Sequence, residues 1–261
     1  MRTLFKNKYF LDVLATVMFF TRIPISWSYF SDKPPNLTKA AWAFPLIGYL
    51  IGIVSGLVGD YLIYFGFPIF VSCVISITIS VILSGAFHED GLADSADGLG
   101  AGGTPNQINK IIHDSRLGTY GVSSLILGLL IRLGLVMTLV ERGYSLVSVL
   151  CVSIASGKVA IIFARNFFSH SRFAKVGSTF GKASNEKLIV AFLIWFFPTL
   201  AIFSFYATFL GIFLVFIAIL VLGFKSKKAL GGLTGDILGA IAFLTELAFL
   251  LGITILVVGV N

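Results

Sequence analysis

The sequence predicts an all-α fold, a polytopic integral membrane helical bundle of about seven transmembrane helices plus an interfacial or re-entrant N-terminal helix. Three observations predict it. Of 261 residues, 57% are hydrophobic and only 12% charged, where a soluble domain is about a quarter charged. The mean hydropathy is +0.98. The apolar residues come in long blocks instead of alternating, and runs of about 18 or more with few charges read as membrane helices. There is no Ser- or Pro-rich linker, low-complexity tract or internal repeat, so residues 1–261 read as a single transmembrane domain.

Eight apolar segments lie near 9–26, 41–64, 67–87, 119–140, 145–164, 188–205, 207–224 and 236–258. The first carries Asp12 and Arg22, is broken by Pro24 and ends in Trp27 and Tyr29. That mixture suits a helix in the interface as well as a span. Arg2, Lys6 and Lys8 precede it, as in a signal peptide, but no small-x-small cleavage site follows, so the segment is read as retained. The stretch before His88 carries no charge at all. Three later spans contain Arg132, Lys158 and Glu246. A charge near mid-bilayer costs about 2.5–3.5 kcal/mol on insertion scales and is a functional candidate by default. A structural Arg132–Glu246 ion pair is the plainer reading, and Lys158, nearer one end of its span, can snorkel. Cys73 and Cys151 lie inside apolar segments and read as small core residues, without a disulfide framework or a Cys-based metal site.

Charge sets the expected orientation. With the first segment on the cytoplasmic face and seven segments crossing, the basic clusters all fall inside: Arg2 to Lys39, Lys110 and Arg116, Arg165 to Lys187, and Lys225 to Lys228. Only Arg142 is left outside. The positive-inside rule explains this pattern, so the net charge of +7 calls for a lipid bilayer and no nucleic acid. The expected location is the cell (inner) membrane, multi-pass, with active-site loops 88–118, 165–187 and 225–236 in the cytoplasm.

The stretch "HEDGLADSADG", residues 88–98, holds Glu89, Asp90, Asp94 and Asp97. On a helix, Asp90, Asp94 and Asp97 share one face and repel one another. A cation relieves that repulsion, and Mg²⁺ takes oxygen ligands from one or two carboxylates, water and substrate phosphate. Glu89, Asp90, Asp94 and Asp97 are therefore the expected metal ligands; a solvated acidic helix end is the plainer alternative. The stretch lacks the alternating ligands and distal Glu of an EF-hand. His88 is a candidate base, or a simple hydrogen-bond donor to a neighbouring Asp. Four of residues 98–103 are glycine, read as a loop whose N–H groups, at Gly102 and Gly103 among others, can cradle phosphate. In "HDSRLGTYG", Asp114 adds a carboxylate and Arg116 can clamp a phosphate through its planar fork. The basic stretch 165–182 can bind a phosphate-rich substrate through Arg165 or follow from orientation alone. "GGLTGDILG" offers Thr234 and Asp236 to the same phosphates, or forms a glycine turn with an N-cap.

These motifs resemble those of the cobalamin synthase family, the adenosylcobinamide-GDP ribazoletransferases. The resemblance runs through "FFTRIP" (19–24), "FPLIGYLIG" (44–52), "HEDGLADSADGLG" (88–100), "HDSRLGTYG" (113–121) and "GGLTGDILGA" (231–240). His113 stands where lysine is more usual. The resemblance implies a Mg²⁺-dependent transferase of cobalamin biosynthesis. A ribose hydroxyl of α-ribazole, or of α-ribazole 5'-phosphate, replaces GMP on adenosylcobinamide-GDP, giving adenosylcobalamin or its 5'-phosphate. His88, Asp114 and Asp236 are then candidates for assisting deprotonation of that hydroxyl. Homo-oligomerisation or association with other corrinoid enzymes is an expectation without a sequence signature.

Two other readings stay open at the level of sequence. A CDP-alcohol phosphotransferase of lipids also carries clustered aspartates, but its motif needs Ala-Arg at positions 101 and 102, where this chain has Ala101 and Gly102, and its second half is absent. A membrane transporter could use Arg132, Lys158 and Glu246 along a path, but the acids cluster outside the mid-plane and inverted repeats are not evident.

Overall fold

A computed structural model describes residues 7–30, 35–174 and 180–259. Arg2, Lys6, Lys33 and Lys175, part of the charge pattern above, lie outside the described residues. The helices run α1 (Lys8–Phe20), α2 (Leu37–Ala40), α3 (Phe44–Tyr64), α4 (Ile69–Ser84), α5 (Phe87–Ala101), α6 (Pro105–Ile112), α7 (Thr119–Glu141), α8 (Leu146–Phe167), α9 (Asn185–Ile202), α10 (Phe205–Leu230) and α11 (Gly235–Gly259). Among the described residues the only extended pairing is an isolated bridge between His170 and Leu233.

Among the described residues six helical stretches are long and apolar enough to cross a membrane, or seven if α4 and α5, bent by 85° at their break, count as one broken span. The chain is a multi-pass membrane helical bundle. α1 has 13 residues, about 20 Å of helix, too short for a core of about 30 Å. Its end is packed into the bundle. Phe20 at its end is buried against Phe44 of α3 and His88 of α5, with ring centroids 4.8 and 6.0 Å away. Its acid is accounted for locally: Asp12 accepts a hydrogen bond from the Trp42 indole at 2.9 Å.

α8 is the central helix, buried along most of its length. Its closest neighbour is α3, and a stripe of glycines makes the approach possible. A Cβ on Gly48, Gly52 or Gly56 would lie 2.4–2.5 Å from the backbone of Ala155, Cys151 or Val147. Small residues at every fourth position let two membrane helices touch backbone to backbone, where dispersion and weak hydrogen bonds replace the missing hydrophobic drive. Gly52→Val is expected to destabilise the fold by at least about 1–3 kcal/mol, the usual cost of overpacking. Gly134→Val is the control, because a Cβ there meets nothing within 4 Å. Unfolding midpoints of both variants in one detergent check this; equal midpoints would contradict the packing role.

The third apolar segment differs from the sequence expectation of a single span over 67–87. α4 stops at Ser84, and Gly85 and Ala86 both adopt left-handed backbone, with φ of 67° and 57°. Glycine takes that conformation freely, whereas alanine pays for it. The break is held in place by the Arg22 N–H, which donates to the Leu83 carbonyl at 2.8 Å. The acidic stretch accordingly begins a helix, α5, instead of a loop. The glycine run is also partly helical: Gly98 and Gly100 belong to α5, and Ile112 and Tyr120 side chains occupy the space a Cβ there would need. Gly102 and Gly103 do form a turn, both with positive φ. A Thr104–Gln107 capping box then starts α6.

Candidate active site

The site forms where α5 crosses α11. A Cβ on Gly91 would stand 2.7 Å from the Asp236 carbonyl oxygen and 3.0 Å from Gly239 Cα. Glycine at this crossing brings Asp90 and Asp94 of α5 beside Asp236 in the first turn of α11. Asp94 lies within electrostatic reach of Asp90, Asp236 and Asp97, and Asp236 within reach of Asp90 and His113. Among the described residues no ion pair reaches Asp90, Asp94 or Asp236. Nor, among those residues, does any group of three or more His, Cys, Asp or Glu side chains stand close enough together to hold a metal ion.

A cavity of about 120 Å³ opens beside these acids. Phe19, Phe20, Phe44 and Phe180 line one side, and His88, Asp90 and Asp236 the other. The phenylalanine wall is assembled from three separate parts of the chain. Phe180 packs against Phe44 with ring centroids 5.1 Å apart and planes tilted by 35°, and the Gly181 N–H donates to Thr38 at 2.7 Å. The segment after α8 is sewn to the turn before α11: Ser171 N–H donates to the Leu233 carbonyl and Leu233 N–H to the Ser169 carbonyl, both at 2.9 Å.

The remaining residues singled out from sequence have other surroundings. Both Asp97 oxygens accept backbone N–H groups at the start of α7, from Gly118 at 2.7 Å and Gly121 at 2.8 Å. It is a helix cap supplied from another helix, favourable in hydrogen bonding and against the helix dipole. Glu89 is buried, with one oxygen 3.5 Å from Arg132 and the other without a partner. Arg165 is buried and donates to the Phe180 and Phe168 carbonyls, which fixes the wall of the cavity. The Thr234 hydroxyl accepts from Ile237 N–H at 3.3 Å as an N-cap. Gly102 has open space around its Cβ position, and Gly103 faces the Gln107 side chain.

Asp114 and Arg116 pair with each other at the surface, Nη2 to Oδ2 at 2.8 Å and Nε to Oδ1 at 3.1 Å. Those bonds hold the Asp114 carboxyl down at about 2. A depressed carboxylate keeps its pairing above the ordinary value near 4 and loses it as pH falls through the folded value. The Asp114 carboxyl resonance is therefore expected to titrate near pH 2, and to move up toward the ordinary value in Arg116→Ala. An unshifted wild-type midpoint would count against the pair. At neutral pH a carboxylate this acidic is a weak base.

Sequence reasoning missed two features. The aromatic wall had only one forewarning, the Phe pair inside "FFTRIP". Lys158 does not snorkel: it is 1% exposed, with Nζ bonded to His88 Nε2 and 4.6 Å above the Phe20 ring. The Arg132–Glu246 pair does form, at 2.8 Å.

A multi-pass bundle with neighbouring unpaired carboxylates beside an aromatic cavity is a membrane protein with a candidate site at that cavity. Comparison with known proteins narrows this. The chain belongs to the cobalamin-5-phosphate synthase family, whose model matches residues 12–254. It is 32% identical over 253 residues to the adenosylcobinamide-GDP ribazoletransferase of Azorhizobium caulinodans, covering 94% of this chain and 95% of the relative. The enzyme of the same name from Xanthobacter autotrophicus is 32% identical over 255 residues, covering 94% and 96%. That of Escherichia coli K12 is 33% identical over 253 residues, covering 92% and 97%. No solved structure matches the chain. At the level of the family it is a ribazoletransferase-like transferase of cobalamin biosynthesis.

Proposed function

We propose that this chain joins α-ribazole, or α-ribazole 5'-phosphate, to adenosylcobinamide-GDP and releases GMP, with Mg²⁺, on the cytoplasmic side of the inner membrane. The observation that carries the reading is the glycine crossing that brings Asp90, Asp94 and Asp236 together, with Asp90 and Asp236 lining an aromatic cavity. Relatives of the same length and similar sequence bear the ribazoletransferase name.

In the transfer, a ribose hydroxyl oxygen bonds to the phosphorus that carries the cobinamide. The bond from that phosphorus to the oxygen bridging it to GMP breaks, and GMP leaves with that oxygen. When the acceptor is the 5'-phosphate, its 5'-oxygen is already esterified, so another ribose hydroxyl attacks. The donor set fits Mg²⁺: hard oxygens, uncompensated, with two carboxylates enough because water and substrate phosphate complete the shell. Asp90 and Asp94 would hold the ion, and Glu89 and Asp97, otherwise engaged, would support the helix that carries them. When bound, the ion neutralises charge on the phosphate oxygens. Asp236 faces the cavity and takes the hydroxyl proton. The phenylalanine wall accepts the flat base of ribazole and keeps water from the reacting phosphorus.

The test is GMP release by detergent-purified protein mixed with adenosylcobinamide-GDP, with or without α-ribazole, in Mg²⁺ or EDTA. GMP is expected only when α-ribazole and Mg²⁺ are both present. Release without α-ribazole, or undiminished in EDTA, would refute the acceptor or the metal respectively. No release from folded protein under any condition would end the proposal.

A further inference from the structure

We propose that a groove between the start of α1, the turn before α3 and the start of α9 binds the headgroup of one anionic phospholipid. The groove shares no lining residue with the aromatic cavity, and the proposal does not depend on the reaction proposed there.

The groove holds about 700 Å³ and is lined by Lys8, Tyr9, Lys39, Trp42, Lys187 and Val190, with Asp12 and Glu186. That volume is in the range of sites for small molecules. Its place in the membrane follows from the helices that form it. One apolar span opens at Leu37 and another at Asn185. Lys39 and Trp42 stand near the start of the first, Lys187 near the start of the second, and Lys8 and Tyr9 open α1. A groove lined by the starts of two spans lies at the surface of the bilayer. Tyr and Trp concentrate at that depth, where headgroups meet acyl chains.

The charges call for an anion. Three lysines face two carboxylates across the groove. Among the described residues no ion pair reaches Lys8, Lys39 or Lys187. Asp12 is engaged by the Trp42 indole, which donates to its Oδ2 at 2.9 Å. One positive charge is left over, and a phosphodiester carries one negative charge. Basic pockets between membrane helices hold anionic headgroups on this principle. A zwitterionic lipid fits less well, because its own cation restores the excess. The Tyr9 ring, which could hold such a cation, already has the Lys8 ammonium 4.9 Å from its centroid.

The groove also leads to a path for the tails, which a free phosphate would not use. Val190 lines it. Leu193 and Phe197 follow at three and seven positions along the same face of α9, and all three are exposed. A lipid whose phosphate rests among the lysines can lay an acyl chain along that strip.

The experiment titrates the full chain in detergent with phosphatidylglycerol or phosphatidylcholine whose acyl chains carry bromine near the headgroup. Quenching of Trp42 is read as the difference between the wild type and Trp42→Phe. Half-quenching is expected at an anionic lipid concentration at least about fivefold lower than for phosphatidylcholine, since a lysine near the surface contributes about that factor. The triple variant Lys8→Gln, Lys39→Gln, Lys187→Gln is expected to make the two lipids equivalent. Lys225→Gln, Lys227→Gln, Lys228→Gln removes the same charge from exposed lysines outside the groove and is expected to keep the preference. Glycerol 3-phosphate at the concentration of the lipid is expected not to reverse the quenching. Equal quenching of the wild type by both lipids would overturn the proposal whether or not the variants fold. So would a preference that survives the groove variant, that the control variant loses as well, or that is unaltered in Trp42→Phe. Reversal by glycerol 3-phosphate would replace the lipid by a soluble phosphate.

Discussion

Asp94→Asn is expected to cut α-ribazole-dependent GMP release by about two to three orders of magnitude while leaving the protein as stable as before, or more so. The two effects have one cause. Asp94 sits among Asp90, Asp97 and Asp236 with no cation among the described residues to offset them. Neutralising it removes repulsion, and with it the charge that would draw in the metal. Sites that trade stability for activity behave this way. Asp97→Asn should do the reverse. Its two oxygens satisfy the Gly118 and Gly121 N–H groups, and an amide can accept only one of those bonds. The orphaned buried donor costs about 1–3 kcal/mol, while the folded fraction keeps most of its activity. Specific activity and unfolding midpoint, measured on both variants in one detergent, separate the roles. Equal loss of activity at unchanged stability would return Asp97 to the metal ligands.

Arg132→Met is expected to be the most destabilising single change in the spans, by about 3–5 kcal/mol, the cost of stranding a buried partner. Both Glu246 and Glu89 lose their guanidinium, and only Lys158 is left to face them. The double variant Arg132→Met with Glu246→Met leaves Lys158 against Glu89, one charge of each sign. It should recover most of the loss, because two apolar side chains can replace a buried pair at little cost. A double-mutant cycle on unfolding midpoints reads the coupling directly. Additive losses would mean that the 2.8 Å contact carries no energy. The same pairing argues against a transport path, since Arg132 is held against Glu246 and Glu89 inside the bundle.

Hydropathy made most of the bundle legible, because a membrane span is a property of local composition. The break after Ser84 was not legible. Gly85 and Ala86 sit inside a continuous uncharged run, and the left-handed turn they make is stabilised by Arg22, more than sixty residues upstream. The acids were legible as a cluster with Asp90, Asp94 and Asp97 on one helical face. What spacing could not tell is that two neighbours share that face: α7 takes Asp97 and α11 confronts Asp90 and Asp94. The pairing of Arg132 with Glu246 followed from electrostatics alone, since few partners exist in a membrane. The contact of Lys158 with His88 depended on where α5 begins, and so on the break itself. The aromatic wall was hidden by abundance: with 26 phenylalanines in the chain, no single one stands out.

The glycine stripe of α3 has a bearing on how the protein is made. Its partners are Val147, Cys151 and Ala155 of α8, and α4 to α7 are all synthesised in between. When α3 enters the membrane, its natural neighbour does not yet exist. Lipid chains must cover Gly48, Gly52 and Gly56 until α8 arrives and displaces them. Even the first turn of α8 depends on the older helix, because the Asp60 carboxylate accepts its Leu146 and Val147 N–H groups at 2.7 and 3.1 Å. For this pair, docking has to wait for a helix made after four intervening ones, even though neighbours in sequence such as α10 and α11 also pack closely. A nascent chain cut short before α8 presents that open groove to the bilayer, a ready mark of incompleteness for the cell's membrane proteases.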